Sequence, residues 1–310
     1  MSEWSVAEPR KLTFDAPVAT LHVRLVEGMV HVMGTEESSA RLEVSEVEGP
    51  PLTVTHKDGA LCVAYDDLPW KGFLKLKGLT RKRWRRSAVV SLAVPAGTRV
   101  EVGAIGAGAL LSGIEGPAEV RSVSGDTTLV GLLGPARVET VSGSVEAQGV
   151  RGDLEFQSVS GDLTMVETAG SSVRADSVSG ALIVDLAPVG TATDIALTNI
   201  SGEIAVRLPH LADTEVEADT TSGAVSNAFE ELRAGDGSQA WGWGAKRVTG
   251  RLGAGSGRLR ATTVTGALAL LRRPPMEEDP YDEVRPDVAP SDSPDVTPPP
   301  TAAPTDKKVL

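Results

Sequence analysis

The sequence predicts an all-β chain. Its body reads as a single-chain, β-helix-like solenoid of stacked coils, about 18–22 residues each, with an irregular hairpin-rich N-terminal cap and a disordered C-terminal tail. Three observations predict it. A Ser-Gly pair recurs at Ser124-Gly125, Ser142-Gly143, Ser160-Gly161, Ser179-Gly180, Ser201-Gly202 and Ser222-Gly223, with glycine spacings of 18, 18, 19, 22 and 21. Apolar residues alternate with polar ones on both sides of that pair. Five Trp, two Tyr and four Phe stand against 33 Gly in 310 residues, so the core has to be built from aliphatic columns.

Aligned on the glycine, those columns are regular. Seven residues before it stand Ala118, Ala136, Leu154, Val173, Ile195 and Val216; five before stand Val120, Val138, Phe156, Ala175, Leu197 and Ala218. Two before it stand Val123, Val141, Val159, Val178, Ile200 and Thr221, and two after it Thr127, Val145, Leu163, Leu182, Ile204 and Val225. Alternation of period two is a strand signature, so each repeat predicts two arms that meet at a turn where glycine carries no Cβ penalty. The same template fits residues 100–109 with Ala107 in the glycine slot, 259–270 with Gly266, and 21–32 with Gly28. In this reading Val159 is buried in one continuous apolar column with Val141 and Val178.

The polar columns predict in-register stacking. Six before the glycine, Glu119, Arg137, Glu155 and Arg174 alternate in sign, which suits neighbours about 4.8 Å apart; Glu101 beside Glu119 breaks the pattern. One residue after the glycine, Asp126, Asp162 and Glu203 are each separated by Ser144 or Ala181. A left-handed hexapeptide helix also has an 18-residue period, but Pro135 and Ser171 occupy slots where it needs aliphatics, and the acyltransferase function it would bring falls with it.

Three regions follow. Residues 1–97 hold N-terminal strands and a cap, with hairpin-like alternation at 19–34, 40–47, 52–65 and 88–94 and a basic loop at 66–87. Residues 98–272 are the regular repeats, interrupted by an insertion at 228–243 whose Phe229, Leu232, Trp241 and Trp243 are expected to pack over the last coils. Residues 273–310 form an acidic, Pro-rich tail, too polar to fold, and within 274–310 nine acidic residues stand against Arg285, Lys307 and Lys308.

The repeated Val-Ser-Gly-Asp, best at Val123-Ser124-Gly125-Asp126 and Val159-Ser160-Gly161-Asp162, resembles a bacterial β-strand-repeat family of unknown function labelled "putative adhesin", within the toastrack superfamily. The resemblance spans residues 12–272 and implies a single-chain β-solenoid linked to envelope stress or its regulation. It carries over no catalytic residue, and the chain departs from the adhesin label because Met1-Ser2-Glu3-Trp4-Ser5 begins no export signal.

Chemistry is sparse. The net charge of −12 disfavours a nucleic-acid coat, and no apolar run is long enough to span a bilayer, so a cytoplasmic protein is expected. The lone Cys62 excludes an internal disulfide. His22, Arg24 and His31 would share the outer face of a hairpin turning at Glu27-Gly28, a poor metal site. The Gly103, Gly106, Gly108 cluster lacks the Lys-Ser/Thr of a phosphate loop, and Asp126, Asp153 and Asp162 lack the nonapeptide of calcium β-rolls. No cofactor and no catalytic or metal residue is predicted. The turn serines are expected to bond neighbouring coils.

Against that background stands one basic segment rich in apolar residues. Trp70, Lys71, Phe73, Lys75, Lys77, Arg81, Lys82, Arg83, Trp84, Arg85 and Arg86 form a candidate site for an anionic surface, for which lipid headgroups fit better than nucleic acid. The expected function is a non-catalytic interaction scaffold for a protein partner, with a module tethered through the basic loop to nucleic acid or, peripherally, to the inner face of the membrane as the alternative. A polysaccharide-active enzyme ranks last, because it would need paired carboxylates beside sugar-stacking aromatics.

Overall fold

The computed structural model describes residues 2–65, 86–187, 193–209, 212–236 and 246–274. Every regular element among them is a strand, and the strands make a 14-stranded and a 12-stranded sheet. The chain divides after Pro274 into two units, and the second, residues 275–310, lies outside the described residues. So do residues 66–85 and both Trp241 and Trp243.

Each repeat gives its first arm to the larger sheet and its second arm to the smaller. Ala136–Thr140 pairs in parallel with Ala118–Ser122 on one side and Leu154–Ser158 on the other, with Glu119, Arg137 and Glu155 opposite one another. Past the turn, Val145–Gln148 lies in parallel between Thr127–Val130 and Leu163–Thr168. The observed register therefore matches the sequence columns rung for rung, including Ala107, Gly266 and Gly28 in the glycine slot. Val120, Val138, Phe156, Ala175 and Leu197 face Leu129, Val145, Leu163 and Leu182 across one continuous core between the sheets.

One column is corrected. Val141, Val159, Val178 and Ile200 are not buried: their exposures are 36%, 51%, 44% and 50%. The inward residue before the turn is the polar one, giving a buried column of Ser122, Thr140, Ser177, Asn199 and Thr263. Strand alternation carries seven, five and three before the glycine to the same face, and the residue two before it points out. The polar column does structural work, since Thr140 Oγ1 accepts from the Gly143 amide at 3.0 Å and Ser122 Oγ from that of Gly125 at 3.0 Å. Val159→Asp should therefore destabilise by less than about 1 kcal/mol, as surface changes do. A urea melt with a midpoint close to the parent's checks this, and a loss of several kcal/mol would restore the buried column.

The N-terminal third differs from a string of hairpins. Thr20–Leu25 and Glu27–Thr35 belong to different sheets, so they are two arms of a repeat and not a hairpin. Leu52–Lys57 and Ala60–Ala64 do form an antiparallel hairpin, turned at Asp58-Gly59 with φ of 51° and 78°. Stacking does not follow chain order. Ala60–Ala64 and Ser87–Pro95 lie outside the 20–35 repeat, and Gly257–Thr263 inserts between Asp194–Ser201 and Thr214–Thr220. The far edge of the larger sheet is covered by the antiparallel strand Lys246–Leu252 and then Arg233–Asp236, while Phe229 and Leu232 are buried as the insertion predicted.

Candidate interaction surface

The two outward faces differ in chemistry. On the larger sheet, arginines and carboxylates form a ladder that crosses from rung to rung: Arg137 reaches Glu139 at 2.9 Å and Glu155 at 2.7 Å, and Arg121 reaches Glu119 and, at 3.3 Å, Glu139. The Glu101–Glu119 clash foreseen in the sequence is resolved by Arg99, which sits 2.9 Å from the first and 3.9 Å from the second. Exposed pairs of this kind add little stability one by one, but they leave this face neutralised.

At the edge where the arms meet, the chemistry changes. Val123, Val141, Val159, Val178, Ile200 and Val264 occupy one slot in six successive rungs, and all but the half-buried Val123 are exposed. The row is held straight by the serine beside each residue, or by Thr265 beside Val264. Ser142, Ser160 and Ser179 donate their hydroxyls to the carbonyls of Val123, Val141 and Val159 at 3.1, 3.1 and 3.2 Å. Just round the turn stand the exposed Asp126, Asp162 and Glu203, in every second rung. Asp126 accepts from the Ser144 amide at 3.0 Å and Asp162 from that of Ala181 at 2.7 Å. The three carboxylates stay outside the arginine ladder.

The basic segment is rooted at this same edge. It leaves after Tyr65 and returns at Arg86, between the two arms of the repeat made by Ala60–Ala64 and Ser87–Pro95. Trp70 to Arg85 lie outside the described residues; Arg86 is 8% exposed, with its guanidinium 5.3 Å from the centre of the Tyr65 ring. Burial pushes the Tyr65 hydroxyl up to about 12, with the Arg86 charge opposing part of the effect. The folded phenol thus holds its proton more tightly than the unfolded one, so stability should fall as pH rises from about 10 to 12. In a Tyr281→Phe background, absorbance at the phenolate band should show a single titration near 12 when folded. A midpoint near 10 would place the ring in water.

The other candidates are dispersed. His22 sits 3.1 Å from Glu101 on the larger sheet, whereas His31 lies on the smaller, so His22, Arg24 and His31 share no face. Cys62 is half-buried within Ala60–Ala64. Asp153 accepts from Ser171 Oγ at 2.6 Å, at the opposite edge from Asp126 and Asp162. A groove of about 560 Å³ on the smaller sheet, bordered by Lys11, His31, Met33, Arg41 and Glu43, has its one carboxylate 3.1 Å from Lys11. A second, of about 610 Å³, lies among Glu215, Glu217, Arg247, Arg251, Arg258 and Arg260. No Phe, Tyr or Trp lines either groove.

Residues 118–249 match the family described as Toastrack DUF4097. No curated protein matches the chain. Among solved structures, a "putative cell adhesion protein" from Clostridium sporogenes is 13% identical, with 86% of this chain and 100% of that one covered and a TM-score of 0.27. A "putative adhesin" from Bacteroides fragilis is 9% identical over 86% of this chain and 98% of that one, with a TM-score of 0.38. The segment that matches is the one whose Ser-Gly repeats stack in register, and over residues 118–249 the chain is similar to the toastrack family of unknown function.

Proposed function

We propose that the chain is a non-catalytic interaction scaffold, a single-chain β-solenoid that presents fixed side chains along one edge to a protein partner. The observation that carries this reading is the exposed aliphatic row Val141, Val159, Val178, Ile200 and Val264. Branched apolar side chains aligned at one edge remain costly in water until something covers them. Rigid spacing lowers the ordering cost of binding, because the row is set by backbone pairing and not by rotamer choice. Our reading puts that partner in an envelope-stress or regulatory system, a link that the toastrack resemblance supports.

Site-specific photo-crosslinking in the native cell tests it. A photoreactive residue at Val159 or Ile200 should yield a discrete adduct, and one at Gln157, two residues before Val159 and among the ion pairs, should yield much less. Equal or absent adducts at the three positions would sink the reading.

The root of the basic segment at this same edge supports a second reading, peripheral attachment to anionic lipid at the inner face of the membrane. Asp126, Asp162 and Glu203 would repel such a surface, which confines lipid contact to residues 70–85 themselves. Changing Arg81, Lys82, Arg83 and Arg85 to Ser should abolish co-sedimentation with anionic vesicles at low salt. Equal pelleting of parent and variant would remove this reading. Arg86 is left intact because it packs on Tyr65.

A further inference from the structure

We infer that the edge formed by the aliphatic row and its flanking carboxylates is a docking surface for a basic amphipathic α-helix. The inference rests on the scaffold reading and gives its partner a chemistry. Successive rungs place Val123, Val141, Val159, Val178, Ile200 and Val264 about 4.8 Å apart, so the row is about 24 Å long. An α-helix rises about 1.5 Å per residue, and apolar residues repeating every 3.5 positions fall about 5.3 Å apart along it. The mismatch is about 0.5 Å per rung and accumulates to only about 2 Å over the row. An extended strand presents same-face side chains about 6.7 Å apart and falls out of step within two rungs.

The charges carry a second match at a different period. Asp126, Asp162 and Glu203 stand in the first, third and fifth rungs, hence about 9.6 Å apart. A heptad advances about 10.5 Å along a helix, so one Lys or Arg per heptad, set beside the apolar seam, meets each carboxylate. Ser144 and Ala181 occupy the rungs between, Ala267 the rung beyond Glu203, and these small residues leave room for the stems of those cations. Among the described residues, no Lys or Arg of the chain pairs with the three carboxylates, so they are available to a partner. A second copy of the chain would bring like charges against them, and an anionic bilayer would do the same. Only a partner that combines an apolar seam with positive charge satisfies both rows.

The test uses the full chain and three synthetic 18-residue peptides, read by fluorescence anisotropy at low salt. The first has Leu along a heptad seam with Lys beside it, the second replaces Lys by Glu, and the third keeps Lys but carries two central prolines. The Lys helix should bind at least tenfold more tightly than either of the others. The triple variant Asp126→Asn, Asp162→Asn, Glu203→Gln should weaken it at least tenfold, and so should Val159→Asp. Glu115→Gln, Glu167→Gln and Asp194→Asn together remove the same charge from the opposite edge and should leave binding unchanged. Equal loss in both triple variants would reduce the effect to net charge and overturn the inference, as would equal binding of the proline peptide. A cross-linked adduct at Val159 from a partner with no basic helix would also overturn it while leaving the scaffold reading intact.

Discussion

Gly143→Ala should cost about 3 kcal/mol or more, although Gly143 does not have a positive φ. A Cβ placed there would sit 2.1 Å from the carbonyl oxygen of Gly125 and 3.2 Å from Thr140 Oγ1. Neither neighbour is free to give way. The turn of Gly125 is tied to that of the next repeat by the Ser142 amide on Val123 O at 2.9 Å, and Thr140 Oγ1 already accepts from Gly143. The same geometry returns at Gly161, whose Cβ would lie 2.2 Å from Gly143 O, so each turn is stacked directly on the one before. Gly131 is the contrast. Its φ is 61° and nothing lies within 4 Å of a Cβ, so Gly131→Ala meets only the left-handed penalty of about 1–2 kcal/mol. Urea midpoints at unchanged slope should therefore rank Gly143→Ala well below Gly131→Ala. The reverse order would mean that backbone conformation, and not close stacking, selects glycine in the repeat.

That distinction marks where the sequence was readable and where it was not. The columns at Ala136, Val138, Val145 and Ala147 declare themselves because period-two alternation and burial coincide there. At the turn they separate: Thr140 points in and Val141 points out, so an aliphatic letter misleads. The corrective signal was the Ser, Thr or Asn three before each glycine, in phase with the core columns and suited to accept from the turn amide. The same phase conceals the candidate site in the sequence, because an aliphatic row beside core columns has the composition of core although it faces water. The stacking of the 60–95 repeat outside the 20–35 repeat was illegible for another reason. Parallel pairing depends on long-range register, and the turn of that repeat is replaced by residues 66–85, so its two arms carry no common landmark. The insertion of Gly257–Thr263 beside Asp194–Ser201 is illegible in the same way, since a repeat fits its neighbours on either side equally well.

Phe156→Ala should be the other severe substitution, at about 3–5 kcal/mol. Its side chain is fully buried in the column that continues through Val138 on one side and Ala175 on the other. A ring beside an alanine fills the space that Ala175 leaves, so truncating it puts two small residues in adjacent rungs and opens a void. The surroundings cannot close over that void by moving a strand, because Leu154–Ser158 is pinned by parallel ladders on both sides in unbroken register. Phe156→Leu should lose far less, since most of the volume remains and the leucine stays apolar. The position of the cavity adds a consequence beyond its size. In a stack where each repeat touches only its neighbours, stability is a sum of repeat and interface contributions, and weakening an interior rung uncouples the repeats on either side. The Phe156→Ala unfolding transition should therefore be both shifted and broadened, with a smaller apparent urea slope than the parent. A change at the end of the stack, such as Phe229→Ala, should shift the early part of the curve and leave the main slope intact. A sharp transition for Phe156→Ala, displaced without broadening, would show that the repeats unfold as one unit and that coupling along the stack exceeds the loss of the ring.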